Sequence, residues 1–242
     1  MTGVRGDGRS AADLRPVKAE LGYLDWAEGS CLLEMGRTRV LVSASFESKP
    51  PRWLQGTGSG WVTAEYAMLP RATSTRTPRE VKSGRPSGRT QEIQRLVGRS
   101  LRAVTALERM GESSILIDCD VLQADGGTRT ASITAGYLAL AQAVEKLSAQ
   151  GAVPADLLID EVAAVSAGIV DDALLLDLCY EEDARAEVDF NVVMTGAGSL
   201  VEVQGTAEGT PFSREDLTAL VDAASDGIEQ LIEFQRATLA GT

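Results

Sequence analysis

Residues 113–150, SSILIDCDVLQADGGTRTASITAGYLALAQAVEKLSAQ, decide the architecture. SSILIDCDVLQ is a short apolar run with polar flanks and reads as a buried strand. ADGGT follows as a tight turn. RTASITAGYLALAQAVEKLSAQ is helical and stops at Gly151, a C-cap signal. A strand that turns through glycines into a helix exposes backbone N–H groups at the helix start, where the dipole favours an anion. Gly126 and Gly127 let the backbone approach a ligand, Thr128 adds a hydroxyl and Arg129 a charged fork. The GxxxxGK[ST] spacing of a P-loop is absent. From spacing alone, this turn is equally a phosphate cradle or a plain strand–turn–helix with a Thr cap.

Working back toward the N-terminus, residues 89–110 carry Ile93, Leu96, Val97, Leu101, Val104 and Leu107 at helical spacing, which predicts a helix. Arg95, Arg99 and Arg102 share its other face. The preceding segment RATSTRTPREVKSGRPSG is polar and basic, a long loop of the kind that is functional or disordered. WVTAEYAML reads as a strand, as do residues 17–25, 30–35 and 38–46, with Gly36-Arg37 turning between the last two. GTGSG at 56–60 imitates a dinucleotide motif but leads into a strand, so that reading fails.

Toward the C-terminus, EVAAVSAGIV and ALLLDLCY form a hairpin around Asp171-Asp172. EVDFNVVMT and SLVEVQGTA add two strands, and a helix over 214–238 opens on Ser213 with Asp216 in a capping-box position. The order of strands, helix, strand, helix, strands and helix is that of an α+β protein with mixed sheets. One domain spanning 1–242 is expected, with halves of about 1–150 and 151–242. Asp177, Asp183 and Asp189 recur six apart. Two of them converging would suit Mg²⁺; alternatively, all three decorate hairpin ends.

Composition narrows the chemistry. The chain has no histidine among its 242 residues, which excludes Ser-His-Asp, Cys-His and HExxH catalysis. Its three cysteines are scattered without CxxC spacing, as expected in a reducing cytoplasm. No apolar run approaches the length of a membrane span, and the N-terminus lacks the apolar core of a signal peptide. The net charge of −12 is unevenly spread: residues 71–109 carry +7 and residues 150–242 carry −16. The basic segment is either an Arg-rich helix paired to acids elsewhere or a local polyanion site, a role to which the guanidinium fork is suited. With no histidine to activate water, a nucleophile that needs little activation fits best. Inorganic phosphate is one, and its attack on a phosphodiester requires mainly positioning and charge neutralisation.

Several blocks resemble the ribonuclease PH family: RGDGRSAADLRPV (5–17), EGSCLLEMGRTRVL (28–41), GWVTAEYAMLPRATSTRTPRE (60–80), SGRTQEIQRLVGRSLRAV (87–104), DCDVLQADGGTRTASITAGYLAL (118–140) and YEEDARAEVDFNVVMTG (180–196). The resemblance implies two related left-handed βαβ-type halves and a homo-hexameric ring, a trimer of dimers. It implies a cytoplasmic, phosphate-dependent 3′ exoribonuclease that processes tRNA precursors and other RNA 3′ ends, releases nucleoside diphosphates and runs in reverse as a nucleotidyltransferase. Neither DNA nor membrane is an expected partner. Carried over by motif, Arg89, Gly127, Thr128 and Arg129 bind phosphate, and Asp183 and Asp189 hold Mg²⁺ or Mn²⁺. Arg89, Arg129, Asp183 and Asp189 are then the catalytic set, and Arg71, Arg76 and Arg79 grip RNA. Gly6 and Ser74 depart from the usual RPDGR and ATHTR of that family. The alternative is a non-catalytic RNA-binding subunit of an exosome-like ring.

Overall fold

The computed structural model describes residues 5–241. A five-stranded sheet, ordered β1-β2-β3-β5-β4, is built from β1 (Val17–Leu21), β2 (Gly29–Met35), β3 (Thr38–Glu47), β4 (Trp61–Met68) and β5 (Ser114–Gln123). All its pairings are antiparallel except β4–β5, which is parallel. That parallel pair requires a crossover, supplied by α1 (Gly88–Arg102). A four-stranded antiparallel sheet, ordered β7-β6-β8-β9, is built from β6 (Val162–Val170), β7 (Ala173–Leu176), β8 (Val188–Thr195) and β9 (Leu200–Ala207). The remaining helices are α2 (Thr128–Ala149), the single turn α3 (Tyr180–Asp183) and α4 (Arg214–Ala240).

Burial patterns assign the layers. Along β6, Val162 and Ala164 join the core of the first sheet and α2, whereas Ala163, Val165 and Ala167 join a second core with Leu220, Ala224, Ile228 and Leu231 of α4. The second sheet is therefore covered on both faces, and β6 reads as a continuous apolar run for that reason. α2 lies between the two sheets, which is why its apolar and small residues show no clean polar face. Gly29 shows how tightly it is wedged: a Cβ there would sit 2.0 Å from the Ala139 carbonyl oxygen. Gln235 of α4 donates from Nε2 to the carbonyls of Thr134 and Val162, both at 3.1 Å, tying the outer helix to this centre.

Four local expectations change. The first strand ends at Leu21, short of residue 25. The helix expected to run to 110 stops at Arg102, although Val104 and Leu107 keep the spacing. There the backbone is taken by residues 157–159: Ala106 N donates to Leu157 O and Ile159 N to Val104 O, both at 2.9 Å. A tertiary bridge thus outcompetes helix propagation. ALLLDLCY is strand only over Ala173–Leu176, because Asp177 adopts φ +53° and bends the chain into α3. The N-cap of α2 is Gly127, not a threonine, and α2 starts at Thr128.

Candidate active site

The turn 124–128 enters α2 through two left-handed glycines, Gly126 at φ +77° and Gly127 at φ +63°. A Cβ at Gly126 would lie 2.5 Å from the Leu178 carbonyl oxygen, so only glycine fits against the segment leading to α3. Gly127 caps α2 without a side-chain hydrogen bond, leaving the first-turn N–H groups open to an anion. Tyr66 of β4 donates its hydroxyl proton to Thr128 Oγ1 at 2.9 Å. The Thr128 hydroxyl keeps its own proton to offer. Burial raises the pKa of Tyr66, which keeps it a donor at neutral pH.

β8 and β9 aim a set of polar groups at the same place. Phe190 and Val192 of β8 point into the α4-side core and Val193 into the α2-side core. Alternation then puts Asp189 and Asn191 on the α2 side. Asn191 Nδ2 donates to Asp189 Oδ1 at 3.2 Å. The register pairs Asn191 with Gln204 and Val193 with Glu202, and the side chains of these β9 partners reach the helices. Arg129 Nη1 donates to Gln204 Oε1 at 2.5 Å and to Glu92 Oε1 of α1 at 3.4 Å. Arg99 pairs with Glu202.

Asp183 is the last residue of α3. Although Asp183 is exposed, partial desolvation by neighbouring atoms raises its pKa and the charge of Asp189 raises it further, while Arg89 and Arg129 pull it back. The charges of Asp189, Glu208, Arg89 and Arg129 are thus all felt at Asp183. Two mutually repelling carboxylates beside arginines fit a divalent cation that takes one or two carboxylates and completes its shell with water and phosphate. No group of three acidic, Cys or His side chains able to enclose a metal exists among the described residues.

Asp177, the third member of the six-spaced series, belongs elsewhere. It is fully buried and accepts from Arg15 Nε at 2.9 Å and Nη2 at 2.7 Å. Beside it, Arg5 donates to Glu182 from Nε at 2.8 Å and Nη2 at 2.5 Å. Burial opposes ionisation of Glu182, but the Arg5 hydrogen bonds, the Cys179 N–H and the Arg5 charge together outweigh it and hold the pKa at about 2.

Of the predicted RNA contacts, Arg71, Arg76 and Arg79 are exposed on the loop after β4 and have no ion pair among the described residues. Arg89 is exposed at the start of α1, whose N-cap Ser87 accepts from Thr90 N at 3.2 Å. The basic segment divides: Arg99 and Arg109 are paired to Glu202 and Asp156, and Arg102 lies 4.2 Å above the Trp61 ring, whereas Arg71, Arg76 and Arg79 have no such partner among the described residues. GTGSG is filled from within, since Glu112 Oε1 accepts from Gly56 N at 2.7 Å and Gly58 N at 3.2 Å. Sequence reasoning did not single out Tyr66, Glu92, Asn191 or Gln204. The available signal was polar residues at i, i+2 in otherwise apolar strands.

Two family models match, the 3′ exoribonuclease family domain 1 over residues 13–144 and domain 2 over residues 160–227. The chain is 59% identical to a Ribonuclease PH of Moorella thermoacetica, covering 98% of this chain and 94% of that one. It is 56% identical to a Ribonuclease PH of Methylocella silvestris, covering 96% and 98%. The fold also matches a chain of the Archaeoglobus fulgidus exosome with RNA bound to the active site, with a TM-score of 0.77 and 22% identity over 95% of this chain and 91% of that one. By both family models and by identity over nearly its whole length, this chain belongs to the 3′ exoribonuclease family.

Proposed function

We propose that this chain is a phosphate-dependent 3′-to-5′ exoribonuclease that trims tRNA precursors and, in reverse, adds nucleotides to their 3′ ends. The observation that supports the reading is the start of α2, where Gly127 caps the helix without a side-chain bond and Thr128 and Arg129 follow, together with an Asp183 that feels the charges of Asp189, Arg89 and Arg129. Inorganic phosphate held at the α2 N-terminus is placed by backbone N–H groups, the Thr128 hydroxyl and the two guanidinium groups. Its oxygen attacks the phosphorus of the last phosphodiester. The P–O3′ bond breaks, the nucleoside leaves as its 5′-diphosphate, and the shortened RNA takes a proton at its new 3′ hydroxyl. Arg89 and Arg129 balance the charge that accumulates on the two phosphoryl groups. Asp183 and Asp189 would hold Mg²⁺ or Mn²⁺, which supplies Lewis-acid neutralisation when bound. The absence of histidine suits a reaction in which no water is activated.

Arg71, Arg76 and Arg79 are assigned to the RNA strand upstream of the cleft. A homo-hexameric ring, a trimer of dimers, would bring several copies of this loop together and offset the net charge of −12. Similarity to exosome-core chains supports a ring, and no helix among the described residues is long and apolar enough to cross a membrane. A non-catalytic ring subunit would have no need of both the cradle and the acid pair.

The test is to incubate the protein with a short 3′-tailed RNA and Mg²⁺, with and without phosphate. Nucleoside diphosphates appearing only with phosphate are expected. Nucleoside monophosphates in phosphate-free buffer would overturn the reading.

A further inference from the structure

The cradle and the acid pair come from different halves of the chain, yet phosphate chemistry demands that they stay in register. In the cleft itself Arg129 reaches Gln204 of β9, which leaves the α3 turn that carries Asp183 to be held from elsewhere. The joint lies behind it, in a buried arginine network. Arg15 spends all its donors on the two sides at once. Its backbone N and Nε donate to Asp177 Oδ2 at 2.7 and 2.9 Å, and Nη2 to Asp177 Oδ1 at 2.7 Å. Its Nη1 donates to the carbonyl of Asp125, in the cradle turn, at 2.5 Å. Thr38 reinforces the cradle end, donating to Gly126 O at 2.7 Å and accepting from Asp125 N at 3.0 Å.

On the acid side, Arg5 donates to Leu176 O at 2.6 Å and Asp177 O at 2.8 Å, besides its double contact with Glu182. Glu182 in turn accepts from Cys179 N at 3.0 Å, closing the single turn that ends in Asp183. The path from Asp125 to Asp183 is thus a chain of short hydrogen bonds in which every side chain is nearly or fully buried. A four-residue helix has too few internal bonds to hold its own orientation, so this network must set it.

We propose that Arg15, through Asp177, is a positioning residue that fixes the phosphate cradle relative to Asp183, so that phosphate and the divalent cation bind cooperatively. This rests on the site assignment above. Arg15 touches neither ligand. Its bidentate fork is required because a lysine can serve one side of the joint but not both.

The experiment measures Mn²⁺ binding to the full protein by electron paramagnetic resonance, with and without saturating inorganic phosphate, together with turnover. In the native protein, phosphate should tighten Mn²⁺ binding by about fivefold or more. In Arg15→Lys each ligand alone should bind with near-native affinity while the mutual enhancement disappears, and kcat should fall by about 10²-fold, the usual cost of a misplacement near 1 Å. Should Arg15→Lys fail to fold, Asp177→Asn, which tolerates the left-handed backbone, and Thr38→Val decide the matter by the same loss of enhancement. Undiminished enhancement in a folded variant overturns the proposal, leaving the network merely stabilising. No enhancement in a native protein that binds both ligands overturns the proposal alone, whereas a native protein that binds neither phosphate nor Mn²⁺ overturns the site assignment, and this separates the two failures.

Discussion

Two turns meet at the cleft, and they are made in opposite ways. The cradle turn, 124–128, is shaped by its own residues: two left-handed glycines, then the N-terminus of a 22-residue helix. The acid turn, 177–183, is shaped by residues far away: a left-handed aspartate and one helical turn, both held by Arg5 and Arg15. The first turn offers backbone donors, whose charge is fixed by the peptide geometry. The second offers carboxylates, whose charge depends on what surrounds them. A site made of one of each can hold an anion rigidly and still tune the acid that faces it.

The comparison breaks most sharply if either turn proves dispensable. Arg129→Ala should lower kcat/KM by about 10²–10³-fold, the usual cost of removing a donor from a transition-state site. It should leave the thermal midpoint near native, because the Arg129 partners Glu92 and Gln204 remain solvated. Asp183→Asn and Asp189→Asn should each remove divalent-dependent turnover to a similar degree. A wild-type rate at low phosphate for the first, or at low Mg²⁺ for the others, would show that one turn is decoration.

Stability should separate the turns next. Gly126→Ala forces a Cβ into the Leu178 carbonyl and an alanine into positive φ. A loss of about 1–3 kcal/mol from backbone strain is expected, with more if the clash does not relax. Denaturant unfolding would measure it, and an unchanged midpoint would refute the tight apposition of the two turns.

Within the acid turn, neighbouring carboxylates should respond to pH with opposite sign. Glu182 has a folded pKa of about 2 against an ordinary 4.5. Its stabilisation is complete above 4.5 and drains away as pH falls toward 2. Asp183 is shifted upward from 3.8 by partial desolvation and by Asp189. Its ionisation therefore costs stability as pH rises above 3.8. Accordingly Glu182→Gln should destabilise the protein at neutral pH and flatten its acid limb, whereas Asp183→Asn should stabilise it at neutral pH while abolishing turnover. Thermal melts across pH 2–7 distinguish the two, and shifts of the same sign would contradict this account.

The smallest effect on chemistry belongs to the exposed loop. Replacing Arg71, Arg76 and Arg79 with Ala should weaken RNA binding and reduce its log–log salt slope by up to about 2, at roughly 0.7 per single-strand phosphate contact. Phosphorolysis of a very short oligonucleotide should persist. An unchanged salt slope would place the RNA elsewhere.

The same contrast explains what could be read from the sequence. The cradle was legible because strand, glycines and helix lie within 113–150 and each signal is local. The capping of α4 by Ser213 and Asp216 was legible for the same reason. The end of α1 was not, because residues 157–159 claim its backbone, and apolar spacing carries no record of that competition. Nor could the even spacing of Asp177, Asp183 and Asp189 say that Asp177 is buried against an arginine: that depends on Arg15, 162 residues away. Tyr66 and Gln204 were invisible individually, since each makes its contact with a partner on another element.

That separation also governs when the centre comes into being during synthesis. A ribosome adding about 5–20 residues per second needs roughly 8–30 s between Arg15 and Asp177. Until then the nascent chain presents its basic loop and cradle with no acid turn to complete them. The acid turn and both buried contacts that hold it, Arg15 to Asp177 and Arg5 to Glu182, can close only after that interval.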